Sequence, residues 1–194
     1  MQGFWSYDCY SKINWISFYN RIPTLINIFW GFSTLSILPI KPNRCLWFVT
    51  KWSNTVEHIK TILNTQIQLS NTTIICNFKE CDSIRYPKVY LESILQNLIT
   101  NSIKYRSKDR DLIIEMTSKK LDDGILFICK DNGMGIDLKK FGDKIFGMNK
   151  TFHLNLDSRG MGLFITRNQI ESLGGSISVE SEPEKGAEFS IVFG

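Results

Sequence analysis

The chain has 194 residues, 43% hydrophobic and 22% charged, with a net charge of +4. That length suits one well-cored domain with an appendage and excludes two large ones. The small basic excess contains no Lys/Arg run longer than two, so no nucleic-acid partner is expected, and Cys9, Cys45, Cys76, Cys81 and Cys129 form no C-x-x-C pair, which argues against a zinc site or disulfide framework and for reduced thiols in a cytoplasmic compartment.

Residues 1–50 are crowded with aromatics, among them Trp5, Trp15, Trp30, Trp47 and Phe48, and follow neither a helical nor a strand period. No charge occurs between Arg21 and Lys41. Residues 22–40 therefore have the length of a membrane span, diluted by Asn27, Gly31, Ser33, Thr34 and Ser36. Two readings stay open there, a membrane segment and a partly buried arm. No basic start and cleavage site frame a signal peptide.

The pattern becomes regular from about Asn54. Val56, Ile59, Ile62, Leu63, Ile67 and Leu69 predict one amphipathic helix over 53–70. The β-branched run at 72–78 predicts a strand. Pro87 predicts the first turn of a helix reaching about Arg106. Strands are expected at 112–118 and 125–130 around Asp122-Asp123-Gly124, with a short helix at 137–144. Residues 146–160 lack a period. A helix at 161–173 closes on Gly174-Gly175, and strands at 177–181 and 187–193 flank Pro183-Glu184-Lys185-Gly186. The order implies an α+β fold, a two-layer sandwich with helices on one face of the sheet.

Three segments carry chemistry. On the 88–106 helix, Asn97, Asn101 and Lys104 fall at i, i+4 and i+7, on one face. An amide oxygen suits Mg²⁺, and a lysine one turn on can meet phosphate as a point charge. Tyr105 is placed to stack on a base. The plain alternative is two polar residues at the rim of an apolar helix face. Asp131-Asn132-Gly133-Met134-Gly135 follows an apolar strand, where a carboxylate can accept from an exocyclic amine and glycines permit close backbone approach. Its alternative is an ordinary turn. A dinucleotide fingerprint is excluded, because no third glycine opens a βαβ helix. Ser158-Arg159-Gly160-Met161-Gly162-Leu163 precedes a helix whose free N–H groups favour phosphate oxygens. The stretch before it, with Phe146, Gly147, Asn149, Phe152 and Asn155, has the character of a mobile cover. No G-x-x-x-x-G-K-[ST] string is present.

In this order and spacing the segments resemble the N, G1, F and G2 boxes of the GHKL superfamily, most of all the ATP-binding catalytic domain of sensor histidine kinases. The resemblance covers about 70–194 and implies a Bergerat sandwich binding ATP and Mg²⁺. It implies Asn101 on the metal, Asn97 near metal and phosphates, Lys104 on phosphate, Tyr105 against the base and Asp131 on the adenine amine. Gly133 and Gly135 would shape the pocket, Phe146 would anchor the lid, Gly160, Gly162 and Leu163 would meet the nucleotide, and Arg159 would be the lid cation. The 51–70 segment resembles the end of a dimerising hairpin, so a homodimer is one expectation.

Related hydrolases place a Glu one turn before the metal-binding Asn to activate water. Asn97 stands there in this chain, and an amide cannot serve as a general base at neutral pH. The resemblance thus implies phosphoryl transfer to a protein histidine, with a response regulator beyond it. The chain's two histidines, His58 and His153, fit the acceptor pattern poorly, which implies transfer in trans. Ser158 stands where the family usually has a glycine. An inactive ATP-binding module and an anti-sigma-type serine kinase remain the alternatives.

Overall fold

The computed structural model describes residues 47–147 and 161–194, all within one compact unit, Ile40–Gly194. The arm through residue 46, the membrane alternative at 22–40, and Ser158, Arg159, Gly160 and His153 lie outside the described residues. Among the described residues no helix is long and apolar enough to cross a membrane.

Strand β1 (Trp47–Lys51) leads directly into α1 (Trp52–Ile62), and α2 (Asn64–Leu69) follows. Then come β2 (Thr73–Asn77), β3 (Ser83–Pro87), α3 (Lys88–Lys104), β4 (Ile113–Leu121) and β5 (Gly124–Asp131). After α4 (Leu138–Phe141) and a 3-10 turn at Gly142–Lys144, α5 (Gly162–Glu171), β6 (Ser176–Glu182) and β7 (Gly186–Phe193) complete the order. Five strands form one sheet in the order β2-β4-β5-β7-β6, and β1 pairs with β3 in a separate antiparallel ribbon. Only β2 and β4 run parallel, and every other neighbouring pair in the sheet is antiparallel.

Alternation along the strands sorts the sheet into two faces. Ile114 and Met116 of β4, Phe127 and Cys129 of β5, and Phe189, Ile191 and Phe193 of β7 are buried. They join Trp52, Val56 and Ile59 of α1, Leu91, Ile94, Leu95 and Leu98 of α3, and Ile170 of α5 in one core. Helices on one face of a mixed sheet are the expected α+β sandwich. Trp52 stacks on Phe127 at 4.9 Å and tilts against Phe193 at 5.7 Å between ring centroids. Helix α1 therefore spends its apolar face on the sheet itself.

Several expectations need correction. The helix over 53–70 is two helices broken at Leu63, which is drawn into the core (4% exposed) while Leu69 is left 81% exposed. Pro87 is the last residue of β3 and the N-cap of α3, and α3 ends at Lys104. The 137–144 helix is one α turn followed by a 3-10 turn. The ribbon β1–β3, pairing Trp47 with Pro87 through Lys51 with Ser83, was not expected, and β1 takes in the end of the supposed arm.

Candidate functional site

The parity of β5 places the first functional group. Ile125, Phe127, Cys129 and Asp131 share one face, so the buried row ends on a carboxylate at the sheet edge. Asp131 is 9% exposed, and a carboxylate so placed needs donors. Its Oδ1 accepts from Gly133 N at 2.9 Å and from Ala187 N at 3.3 Å, while Oδ2 accepts from Ser102 Oγ at 2.8 Å.

The turn after Asp131 is held from two sides. Met134 N donates to Tyr105 O at 2.9 Å, tying the turn to the end of α3. Glu184 N donates to Met134 O at 2.7 Å, and Ile136 N to Ser181 Oγ at 2.8 Å, tying it to the β6–β7 hairpin. Arg110 closes this junction by donating to the carbonyls of Asn132 (2.7 Å), Gly133 (2.8 Å) and Glu184 (2.6 Å). Gly133 has no room for a side chain, since a Cβ would lie 2.7 Å from Tyr105 O and 2.9 Å from Asp131 Oδ1. Gly135 sits at φ +68° against the backbone of Glu182.

Helix α3 supplies the second wall. Its buried stripe Leu91, Leu95, Leu98 and Ser102 turns Asn97 and Asn101 to the half-buried flank. Asn97 Nδ2 donates to Gly162 O at 3.3 Å and to the buried Thr166 Oγ1 at 3.2 Å, which locks α3 to the start of α5. Asn97 Oδ1 and the Asn101 carboxamide have no hydrogen-bond partner among the described residues. Lys104 is exposed on the last turn, its Nζ 4.9 Å from the Tyr105 ring centroid.

The first turn of α5 forms the third wall. Among the described residues no side chain caps it through Met161 and no acidic residue occupies the turn, and the N–H groups and positive dipole end of such a helix start favour an anion. A Cβ on Gly162 would lie 3.5 Å from Asn97 Oδ1, an ordinary contact. A methyl group there would fit without displacing Asn97. Leu163 packs against the core, as does Phe146, over whose ring the Arg167 guanidinium sits at 5.9 Å.

The structure thus brings Asn97 to Gly162, and the Tyr105 carbonyl to Gly133 and Met134, so that α3 touches both the start of α5 and the 131–135 turn. Among the described residues Lys104 is brought against the Tyr105 ring and not against either glycine segment. Sequence reasoning missed Ser102, Thr166, Arg110 and Ala187. Ser102 and Asp131 were open to it, because the helical stripe and the strand parity each put one polar residue in a buried row. Arg110 left no such mark.

Residues 88–194 match the family of histidine kinase-, DNA gyrase B- and HSP90-like ATPases. The chain belongs to this family. Cyanobacterial phytochrome A of Nostoc sp. is 41% identical over 101 residues, 51% of this chain and 13% of that protein. Sensor histidine kinase YcbM of Bacillus subtilis is 31% identical over 104 residues, 52% of this chain and 33% of that protein. This chain therefore spans a minor part of the length of the relatives it matches. The catalytic domain of histidine kinase ThkA superposes with a TM-score of 0.62 at 20% identity, over 75% of this chain and 93% of that one. The described fold is the histidine-kinase type of Bergerat sandwich, and the matched segment is the ATP-binding catalytic domain of that kinase family.

Proposed function

We propose that this histidine-kinase-type domain binds Mg·ATP between α3, the 131–135 turn and α5, and transfers the γ-phosphate to a histidine on another protein segment. The observation that carries the reading is the Asn97 carboxamide: its nitrogen ties α3 to Gly162 and Thr166, and its oxygen is left beside the open turn of α5. Asp131, with Oδ1 filled by two backbone donors, offers Oδ2 to the 6-amino group of adenine. Tyr105 packs against the base, and the N–H groups following Gly160 and Gly162 take phosphate oxygens. Phe146 anchors the lid, and Lys104 and Arg159 supply phosphate contacts from the edges.

The donor set fits Mg²⁺. The described residues contain no cluster of three or more His, Cys, Asp or Glu. Asn101, with the neutral oxygen of Asn97 one turn away, offers hard ligands of the kind that share an ion with nucleotide phosphates and water. The ion, when bound, neutralises charge on the phosphates. The chain's own work is to orient the nucleotide and exclude a misplaced water. Asn97 occupies the position from which a carboxylate would activate that water, and an amide takes no proton there. Transfer is favoured over hydrolysis on this ground.

The burial of Trp52, Val56 and Ile59 in the core supports counting the 51–70 segment with the catalytic domain rather than apart from it. With α1 assigned to the catalytic domain, a dimerising hairpin, the acceptor histidine and a response regulator are partners from other segments, in the cytoplasm. Incubation of the chain with γ-labelled ATP and an acceptor-hairpin protein tests the proposal. The expected product is an acid-labile, base-stable phosphate on the acceptor. ATP binding with no such product would leave a nucleotide-binding module and end the kinase reading.

A further inference from the structure

We propose that Ser102 is a positioning residue for base recognition: its hydroxyl holds Asp131 so that one acceptor position on Oδ2 is presented to a purine 6-amino group. This rests on the adenine reading of Asp131 given above and assigns a determinant of that selectivity to α3.

Ser102 is 4% exposed on the buried stripe of α3, and its Oγ lies 2.8 Å from Asp131 Oδ2 and 3.2 Å from Leu98 O. A hydroxyl has one proton to give. Leu98 O is an interior helix carbonyl that already receives a helical N–H, whereas the carboxylate oxygen is closer and charged. The proton therefore goes to Asp131. An ionised carboxylate has about four acceptor positions over its two oxygens. Gly133 N and Ala187 N fill those of Oδ1. Ser102 takes one on Oδ2, leaving a single position there among the described residues.

That single position needs a donor. A 6-amino purine supplies one, whereas a 6-oxo purine turns an acceptor toward the carboxylate, and a purine without a 6-substituent leaves the position to water. Backbone donors anchor Oδ1 regardless of residue 102, so the Ser102 hydroxyl specifically sets the direction of Oδ2. Its removal admits a competing water and loosens the carboxylate about the anchored oxygen, without removing a buried apolar group. The effect falls on the amine contact.

The test compares ATP with purine riboside triphosphate, which lacks the 6-amino group, by equilibrium binding to the full 194-residue chain in Mg²⁺ buffer. The unsubstituted chain is expected to favour ATP. Ser102→Ala should weaken ATP by about three- to tenfold, the scale of one hydrogen bond, and leave the deamino analogue within about twofold. Ser102→Thr, which keeps the hydroxyl, should restore the preference for ATP. A uniform loss for both nucleotides, or an unchanged ratio in a folded Ser102→Ala chain, would overturn the positioning role while leaving the ATP site intact. Equal affinity of the unsubstituted chain for the two nucleotides would instead remove the Asp131 reading, and this inference with it.

Discussion

Gly135→Ala tests whether the 131–135 turn is braced against the β6–β7 hairpin. The added methyl meets the backbone, which cannot turn aside: a Cβ would overlap the Glu182 carbonyl, with Glu182 C at 2.9 Å and Gly186 O at 3.1 Å. Two costs add. The left-handed φ of +68° costs an L side chain about 1–2 kcal/mol, and overpacking against fixed atoms costs about 1–3 kcal/mol. A total of about 2–5 kcal/mol follows. Gly174 isolates the first cost, because it also has a positive φ, +84°, but nothing lies within 4 Å of its added Cβ. Gly174→Ala should therefore cost only about 1–2 kcal/mol. Urea unfolding of both variants gives the comparison, with nucleotide affinity measured in parallel. Gly135→Ala should also weaken ATP, since Asp131 and Gly135 share one turn, and Gly174→Ala should not. Equal destabilisation of the two variants would refute the bracing argument, because backbone strain alone would then account for both.

Three further outcomes follow from the core and the site. Asp131→Asn can still accept the Gly133 and Ala187 N–H groups with its oxygen and donate its nitrogen to the Ser102 hydroxyl. The fold should survive while ATP binding is lost, as seen by paired thermal unfolding and equilibrium binding; Asn101→Asp should likewise abolish Mg·ATP binding. Trp52→Ala should cost about 3–5 kcal/mol, and a chain beginning at residue 71 should give no cooperative melt, because it uncovers Phe127 and Phe193. Alkaline pH should unfold the protein: burial raises the Cys129 thiol above its ordinary 9.0, with the Asp131 and Cys76 charges adding, and burial raises the Tyr86 hydroxyl above 10.0. Both groups keep their protons in the fold when the unfolded chain releases them. The Cys129 contribution is complete below about pH 9 and the Tyr86 contribution below about pH 10, and above its own onset each is lost by about 1.4 kcal/mol per pH unit. A urea midpoint unchanged from pH 8.5 to 10.5 would contradict the burial of both.

Long periodic elements were readable because a single face decides them. Leu91, Leu95 and Leu98 mark α3, and the alternation through Phe127, Cys129 and Phe189, Ile191 marks β5 and β7. The break at Leu63 was not readable, since neither glycine nor proline signals it and the apolar spacing runs on through Ile67. Strand β3 was hidden for the opposite reason. Pro87 at its end reads as a helix start, and a five-residue strand with Ile84 and Tyr86 inward shows too short an alternation to compete. At the site, the loops announced themselves by glycine and by Asp131. Their bracing did not: Arg110 reaches Glu184 across 74 positions of sequence, and Ala187 contributes only a backbone N–H. Such contacts depend on register between β5 and β7, which pairs Asp131 with Ala187 and which no local pattern encodes.

The same packing bears on the acceptor in the proposed transfer. His58 lies on α1, its Nε2 3.9 Å from Glu92 Oε1, with Lys88 Nζ 3.7 Å from the same oxygen. Glu92 precedes Asn97 by five positions on α3, about 7.5 Å along the helix axis at 1.5 Å per residue, and Asn101 lies one further turn away. Trp52, Val56 and Ile59 hold α1 in the core that supports α3. The backbone of His58 is thus held beside the far half of α3, and bringing it to the Asn97–Asn101 flank would require pulling α1 out of the core. On the function proposed above, with the phosphates beside Asn97 and Asn101, His58 is out of reach of its own nucleotide, and a histidine on another segment is the expected acceptor.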